Sequence, residues 1–294
     1  MKFSTALYNL ARAKTPESIK SKIDVAYSKF DPVLINFYRM TTGWDKPIPP
    51  FSLRKLTAKR SLDHYVNSGQ NIVKSLIDGL QSSTAKDIDD FQDVLDFGCG
   101  AGRQVQYFYD RGNVKLTGCD PSQPHIQWLS ENYPSANFYV SKFAPPLPFS
   151  NASFDLVYSV SVFTHLSEKA QFEWLSELRR ILRPGGIALL TIMGEYAAQL
   201  SDQNKYYKRD PNEPKSFSQE LSEKKLLFYV PTSYSLINSI VSPNSVSEDE
   251  MYGATWHSKE YITNKWSQYF NIVNIIPGCI DNLQDLVVLR KENA

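Results

Sequence analysis

Three glycines at alternate positions, Gly98, Gly100 and Gly102, stand between an apolar run and a stretch of helical character in VLDFGCGAGR, residues 94–103. A strand, a glycine-rich turn and a helix in this order let a ligand approach the backbone, and the helix start offers unpaired N–H groups and partial positive charge. Asp120 ends the next apolar run, 22 residues after Gly98, where a carboxylate can bind both hydroxyls of a ribose. The spacing therefore predicts a site for an adenosine-type ligand; a tight turn needed only for packing is the alternative.

The residues next to the glycines narrow the class of adenosine ligand. A dinucleotide fingerprint would place glycine at position 103, which is Arg103, and the Gly-Lys-Ser/Thr of a phosphate-binding loop is absent from the sequence. Asp96, two residues before the first glycine, would put a negative charge beside the ligand, which suits a cation better than a pyrophosphate. S-adenosylmethionine carries a sulfonium and an ammonium, and it is the predicted ligand.

The chain around these residues alternates short apolar strands with helical segments, which is typical of a parallel sheet covered by helices. Strands are predicted at 93–98, 115–120, 137–140, 154–163 and 187–194, and helices at 61–80, 103–112, 123–133 and 167–186. After a polar stretch at 195–252, a helix at 258–270 precedes two strands, 270–278 and 283–291, which a short turn joins into an antiparallel pair. The predicted fold class is α/β, a doubly wound seven-stranded sheet, mostly parallel, with the last strand antiparallel.

These segments resemble class I S-adenosylmethionine-dependent methyltransferases, of the type that includes the ubiquinone and menaquinone methylases. VLDFGCGAGR resembles their first motif and LTGCDPS their second, while PPLPFSNASFDLVYSVSVFTHL and LRRILRPGGIALLTI resemble their fourth-strand and fifth-strand regions. The resemblance covers residues 90–193 well and 258–291 moderately. It implies a Rossmann-like methyltransferase fold and an enzyme that transfers a methyl group.

The resemblance also implies a role for each matching residue. Asp96 and the backbone of Gly98, Gly100 and Gly102 would hold the methionine part of the cofactor, with Cys99 of the same turn as a packing residue. Asp120 would hold the ribose, and the remaining contacts would come from Pro121 beside the adenine, Phe143 and Ala144 lining it, and Ser159 near the methionine end. Relatives often carry an acid where Phe143 stands, so here a backbone carbonyl would bind the adenine amino group or the Phe143 ring would stack on the base.

Methyl transfer to a hydroxyl needs a base, because a hydroxyl ionises far above pH 7. His165 follows the fourth predicted strand, at the edge where open parallel sheets bind ligands, and His257 ends the inserted segment in GATWHS. Both are candidate bases, since the pKa of imidazole is about 6.5. Helix capping by His165 and a packed loop position for His257 are the alternatives, and His64 and His125 are predicted to be helix residues without a role.

The acceptor is predicted to be a small molecule or a carbohydrate. Methylases of amino groups in DNA bases, glutamine or adenine carry Asn/Asp-Pro-Pro-Tyr/Phe after the fourth strand, where this chain has SVSVFT, and a net charge of +1 gives no surplus for nucleic acid. SVFTHL and residues 255–291 resemble methyltransferases of bacterial glycan and envelope-polysaccharide synthesis. The tyrosines and tryptophans of 206–266 suit sugar contacts, or alternatively form a small core of the inserted segment.

Length and composition favour a globular, cytoplasmic enzyme. The 294 residues are 42% hydrophobic, and the three cysteines, Cys99, Cys119 and Cys279, form no zinc motif, which favours a reducing compartment and no metal site. No secretory leader and no run of 18 apolar residues is present, so no transmembrane segment is expected. We expect a helical N-terminal cover at 1–90 and a methyltransferase domain at 91–294, with an inserted substrate lid at about 195–257.

O-methylation is the preferred reaction, and three other functions stay open on the sequence. The chain could methylate nitrogen or carbon of a small molecule such as a quinone-like acceptor, with neither histidine essential. It could be a non-catalytic module that binds S-adenosylmethionine, although the intact Asp96, glycines and Asp120 argue against decay. It could be a nicotinamide oxidoreductase, against which Arg103 and the reversed last strand speak.

Overall fold

The computed structural model describes residues 17–57, 61–203, 214–230 and 252–293. Within this part of the chain a single sheet forms the centre of the fold. Its strands are β1 Asp93–Phe97, β2 Lys115–Asp120, β3 Asn137–Val140, β4 Phe154–Ser159, β5 Leu182–Met193, β6 Leu226–Tyr229, β7 Ala254–His257, β8 Asn271–Ile280 and β9 Gln284–Arg290. The strand order is β3-β2-β1-β4-β5-β7-β6, and β9 pairs with both β5 and β8.

Helices precede the sheet and connect its strands. They are α1 Glu17–Thr42, α2 Phe51–Thr57, α3 Leu62–Thr84, α4 Val105–Phe108, α5 Gln123–Asn132, α6 Glu168–Ile181, α7 Glu195–Asp202, α8 Phe217–Lys224 and α9 Lys259–Lys265. α6 begins where the sequence predicts, because the Ser167 hydroxyl accepts the Ala170 N–H. Among the described helices, none is long and apolar enough to cross a membrane.

The predicted α/β class is confirmed in its topology. β1 to β5 pair in parallel through β2-β3, β1-β2, β1-β4 and β4-β5, and β9 runs antiparallel to β5 and β8. Two strands beyond the predicted seven lie in the segment 195–257, where the sequence predicts a lid. β6 pairs antiparallel with β7, and β7 extends β5 through a single parallel pair, Met193 with Trp256. Part of that segment therefore continues the sheet.

Several predicted boundaries are wrong. The helix predicted at 167–186 ends at Ile181, and β5 begins at Leu182 and not at residue 187. The helix predicted at 258–270 ends at Lys265.

β4 ends at Ser159 and not at residue 163, because Ser161 has a φ of 60° and turns the chain. The helix predicted at 103–112 is reduced to the four residues of α4. α3 continues through Gly79 to Thr84, because Gly79 is a packing residue: a Cβ there would lie 2.4 Å from Leu286 Cδ2.

Apolar side chains cover both faces of the sheet. On one face, α3 and α5 bury Leu76 and Leu129 against sheet residues such as Leu189. On the other face, α6 buries Leu175 against the opposite sides of the same strands, as at Val157. Burial on both faces explains the continuous apolar runs of the central strands, and it holds the carboxyl ends of β1, β2 and β4 in one rigid edge.

The residues before β1 are fastened to this edge by polar contacts. The Tyr65 hydroxyl of α3 donates to the Ala101 carbonyl in the turn after β1, at 2.8 Å. Residues 44–57, here called the N-terminal arm, include α2, in which the buried Arg54 pairs with the buried Asp31 of α1. Lys46 Nζ donates to the Gln106 carbonyl at 2.6 Å. The helices of the first ninety residues are thus attached close to the glycine turn.

Candidate functional site

The glycine turn after β1 uses backbone conformations that favour glycine. Gly98, Gly100 and Gly102 have φ angles of 83°, 50° and 76°. A Cβ on Gly98 would lie 2.4 Å from Val162 Cγ2, and one on Gly102 would lie 2.4 Å from Leu129 Cδ2. A side chain at either position would therefore clash with the protein itself, and the resulting path brings Gly100 to β2. The predicted cofactor contacts of this backbone stay a prediction.

Asp120, at the end of β2, accepts a hydrogen bond from the glycine turn. The Gly100 N–H donates to Asp120 Oδ2 at 2.9 Å, and the Ser122 N–H donates to Oδ1 at 2.9 Å. Because β1 and β2 are parallel neighbours, Asp96 and Asp120 come to the same edge of the sheet. The two carboxylates that the sequence selects are thus brought together around the glycines.

The buried Asp96 and the half-buried Arg103 both lack full hydrogen bonding among the described residues. Asp96 is 2% exposed, and its Oδ2 has no hydrogen-bond partner among the described residues. Burial raises the pKa of Asp96 to about 7; the Tyr158 hydroxyl and Arg103 counteract this rise, and Asp120 adds to it. Arg103 makes one long contact, 3.5 Å from Nη1 to Ser68 Oγ, and its Nε has no partner in the described part of the chain. Burial lowers the pKa of the guanidinium.

Comparison with known proteins points to one family. Residues 94–186 match a family model described as a methyltransferase domain. Over 100 residues each, the chain is 34% identical to a probable S-adenosylmethionine-dependent methyltransferase of Mycolicibacterium smegmatis, 32% to an O-methyltransferase of Aspergillus nomiae and 35% to a 2-methyl-6-phytyl-1,4-hydroquinone methyltransferase of Synechocystis. The matches cover 34%, 32% and 33% of this chain and 37%, 43% and 30% of those relatives, so the chain spans less than half of each relative's length.

Solved structures show the same fold. A protein of Pyrococcus horikoshii OT3 has a TM-score of 0.54 at 19% identity, over 78% of this chain and 95% of its own. An S-adenosylmethionine-dependent methyltransferase of Mesorhizobium loti has a TM-score of 0.51 at 13% identity, over 74% of this chain and 98% of its own. Residues 94–186 thus match the methyltransferase-domain family, and the chain has the fold of the solved S-adenosylmethionine-dependent methyltransferases.

The residues predicted near the adenine lie on open surface of the methyltransferase domain. Phe143 is 42% exposed, Ala144 is exposed and Pro121 is half-buried. The Ser141 N–H donates to the Asp120 carbonyl at 3.1 Å, so the segment after β3 starts beside the end of β2. An apolar, accessible ring at this position is available for stacking on a base.

Cys99 and Ser159 face the interior of the domain. Cys99 is 3% exposed, and burial raises the pKa of its thiol well above the usual value, so it is a packing residue. The Ser159 hydroxyl is fully buried and donates to the Phe97 carbonyl at 2.8 Å, which ties β4 to β1. The hydroxyl donor of Ser159 is therefore committed to the backbone, and the position of Ser159 near the methionine end stays a prediction.

His165 is half-buried in the loop after β4, at the carboxyl edge of the sheet. Its Nδ1 lies 2.8 Å from the Gly253 carbonyl, and its ring stacks on Tyr252 with 4.7 Å between the ring centroids. A carbonyl only accepts, so Nδ1 carries the proton of the neutral ring and Nε2 carries the lone pair. Burial lowers the pKa of His165, and the Gly253 carbonyl partly offsets this effect.

His257 occupies the core, and its prediction as a base is wrong. It is 1% exposed, its Nε2 lies 2.9 Å from Gln171 Oε1 of α6, and its ring packs edge-on against Trp266. Burial lowers its pKa to about 3. A ring enclosed by α6 and the 3₁₀ turn at 266–268 serves packing, which was the alternative explanation for this histidine.

Two residues that sequence reasoning passed over adjoin the site. Arg103 served only to exclude a dinucleotide fingerprint, yet its side chain interacts electrostatically with Asp96. His125 was predicted to be an ordinary helix residue, yet its Nδ1 lies 3.7 Å from Asp120 Oδ1. The position of His125 could have indicated this contact, because it lies in the first turn of the helix that follows Asp120, the acid predicted to bind a ribose.

Proposed function

We propose that this protein transfers the methyl group of S-adenosylmethionine to a hydroxyl of a small molecule or a carbohydrate. The observation that carries the proposal is the pair of incompletely bonded groups at the glycine turn. An α-amino acid presents an ammonium and a carboxylate, and Asp96 Oδ2 and the Arg103 guanidinium are the complementary charges. The residues thus suit the methionine part of the cofactor.

The other proposed cofactor contacts come from residues at the same edge of the sheet. Asp120 would accept hydrogen bonds from the ribose hydroxyls, held in place by the Gly100 and Ser122 N–H groups. Pro121, Phe143 and Ala144 would contact the adenine, with the exposed Phe143 ring stacked on it. No carboxylate is needed at position 143 in this arrangement.

His165 is the base that the structure supports. Bound S-adenosylmethionine supplies an electrophilic methyl group on sulfur. The acceptor oxygen would take this methyl group while the electron pair of the carbon–sulfur bond stays on sulfur, so that S-adenosylhomocysteine would be the second product. His165 Nε2 takes the hydroxyl proton, while the Gly253 carbonyl holds the ring in the tautomer that this role requires.

A hydroxyl acceptor is favoured over nitrogen or carbon by the presence of this base. The Aspergillus nomiae relative is an O-methyltransferase by name, and the match covers 43% of its length. Tyr252 beside His165 and the half-exposed Tyr196 at the start of α7 offer aromatic faces and hydroxyls, which suit a sugar. The alternative is an aromatic acceptor, which the name of the Synechocystis relative, a hydroquinone methyltransferase, suggests.

Calorimetric titration with S-adenosylmethionine, S-adenosylhomocysteine and NADH is the first test. We expect both adenosyl ligands to bind and NADH not to bind. Asp120→Ala should weaken S-adenosylhomocysteine at least about tenfold, the effect of losing one or more charge-assisted hydrogen bonds. The matched control is Asp78→Ala, an exposed acid of α3 paired with Lys74, which should leave the affinity unchanged. Unchanged binding by Asp120→Ala would show that the cofactor lies elsewhere.

Acceptors are then screened by methyl transfer from labelled S-adenosylmethionine. The panel contains monosaccharides, nucleotide-linked sugars, phenols and hydroquinones. Transfer to a sugar or alcohol hydroxyl supports the proposal. Transfer to carbon or nitrogen alone, unaffected by His165→Gln, supports the aromatic alternative.

A further inference from the structure

His125 lies between the cofactor carboxylate and the N-terminal arm. The residue is in the first turn of α5 and is 4% exposed. Its Nδ1 is 3.7 Å from Asp120 Oδ1, and its Nε2 is 3.2 Å from the Leu53 carbonyl of α2. One buried imidazole therefore touches two groups that are far apart in sequence.

The chemistry of these partners determines the orientation of the ring. The Leu53 carbonyl only accepts, so Nε2 carries a proton and donates. Nδ1 is buried, has no hydrogen-bond partner among the described residues and faces the Asp120 carboxylate. The ring therefore lies between the Leu53 carbonyl and the Asp120 carboxylate.

The attachment at Leu53 differs from the other attachments of the arm. Lys46 binds the Gln106 carbonyl and the Asp110 carboxylate. The buried Arg54–Asp31 pair joins α2 to α1. Among these contacts, His125 alone also touches the proposed ribose ligand.

We propose that His125 is a positioning residue that couples docking of the N-terminal arm to cofactor binding. Held by Leu53, it orients the Asp120 carboxylate for the ribose; held by Asp120, it keeps α2 against the site. Coupling of this kind is reciprocal, so the cofactor stabilises the docked arm as much as the docked arm stabilises the cofactor. The inference rests on the proposed cofactor site, and its test separates the two.

Two substitutions test the contacts of His125 with Leu53 and with Asp120 separately. His125→Gln places an amide near the position of Nε2, so it keeps the donor to Leu53 and loses the contact with Asp120. His125→Asn places an amide near the position of Nδ1, so it keeps the contact with Asp120 and loses Leu53. His125→Leu removes both. Hydrogen exchange of peptides covering 44–57, with and without S-adenosylhomocysteine, measures how firmly the arm is docked. Calorimetry measures the affinity for S-adenosylhomocysteine.

In the wild type we expect S-adenosylhomocysteine to slow exchange in residues 51–57. His125→Gln should keep wild-type exchange without ligand, bind about tenfold more weakly and lose the ligand-induced slowing. His125→Asn should exchange faster in the arm and also lose the slowing, at nearly wild-type affinity. Lys46→Met is the matched control: it loosens the arm without touching Asp120, so the slowing at 51–57 should remain.

Three outcomes overturn the coupling. They are slowing that persists in His125→Leu, identical behaviour of the Gln and Asn variants, and an arm that does not respond in a wild type that binds the ligand. Absence of binding by the wild type instead overturns the proposed function. The contrast between the Gln and Asn variants in ligand-free exchange then still decides whether His125 holds Leu53.

Discussion

If Asp96 binds the cofactor ammonium as proposed, cofactor binding should depend on pH. Burial raises its pKa to about 7, so at pH 6 about one protein in ten carries the carboxylate that an ammonium requires. Binding then includes the free energy of deprotonation, and we expect S-adenosylhomocysteine to bind about tenfold more weakly at pH 6 than at pH 8. Calorimetry at several pH values measures this change.

Asp96→Asn is the control for that profile. The amide has the shape of the carboxylate without its titration, so its affinity should be lower at pH 8 and nearly constant between pH 6 and 8. A wild-type profile as flat as that of the variant would mean that the ammonium binds elsewhere.

His165 is expected to affect the chemical step and not the cofactor. His165→Gln should lower kcat by about 10²- to 10⁴-fold, the usual contribution of a general base, with S-adenosylhomocysteine affinity unchanged. Because burial lowers the pKa of His165, the neutral base persists below pH 6.5, and kcat should be constant above that pH and fall only in more acidic solution. A variant that keeps full activity would remove His165 from the mechanism.

His257 is expected to govern acid stability. Its pKa is about 3 in the fold and about 6.5 in an unfolded chain, so below pH 6.5 the unfolded state binds the extra proton. The free energy of unfolding should then fall by about 1.4 kcal/mol per pH unit from this group. In urea unfolding, the stability lead of the wild type over His257→Gln should shrink by about 2 kcal/mol between pH 7 and pH 5. Equal losses in both proteins would contradict the assignment.

At this scale the sequence predicts residues that act through type and spacing. Asp96, Asp120 and the glycines lie in short motifs, and the structure brings them to one edge of the sheet. The sequence could not place His257 or His125. His257 becomes a core residue only through its contact with Gln171, 86 positions away. His125 likewise meets Leu53 across 72 positions.

Among the helices, α3 depends on close approach to the glycine turn. In an isolated helix, alanine is more favourable than glycine by about 1 kcal/mol. A Cβ at Gly69, however, would lie 2.4 Å from the Arg103 carbonyl oxygen, which is backbone and cannot rotate away. We therefore expect Gly69→Ala to lower the free energy of unfolding by about 1–3 kcal/mol, the usual result of overpacking.

Gly112→Ala is the matched control for this prediction, because nothing lies within 4 Å of a Cβ at that position. Its effect in urea unfolding should stay within about 0.5 kcal/mol. If Gly69→Ala proved as stable as the wild type, α3 would have room to move away from the turn, and the contact would not be tight.

At the scale of the whole molecule, the alternation of apolar runs and helices in the sequence was enough to predict the parallel strands. The short connection between β8 and β9 was enough to predict that these two strands pair antiparallel. β6 and β7 escaped prediction because their segment is polar and rich in loops. Their apolar residues, Leu227, Ala254 and Trp256, pack into a small cluster with α7 and α8. That cluster joins parts of the chain whose separate patterns are too weak to indicate strands.

The position of β9 has a consequence for biosynthesis. β9 lies inside the sheet, hydrogen-bonded to β5 and β8 on its two sides, although it is the last of the described strands to be translated. While a ribosome is still making residues 194–283, β5 has an unpaired edge and its apolar residues lack their partners. A chain that stalls before Gln284 therefore leaves this edge of β5 open and β8 without its partner strand, which makes it a target for chaperones and proteases.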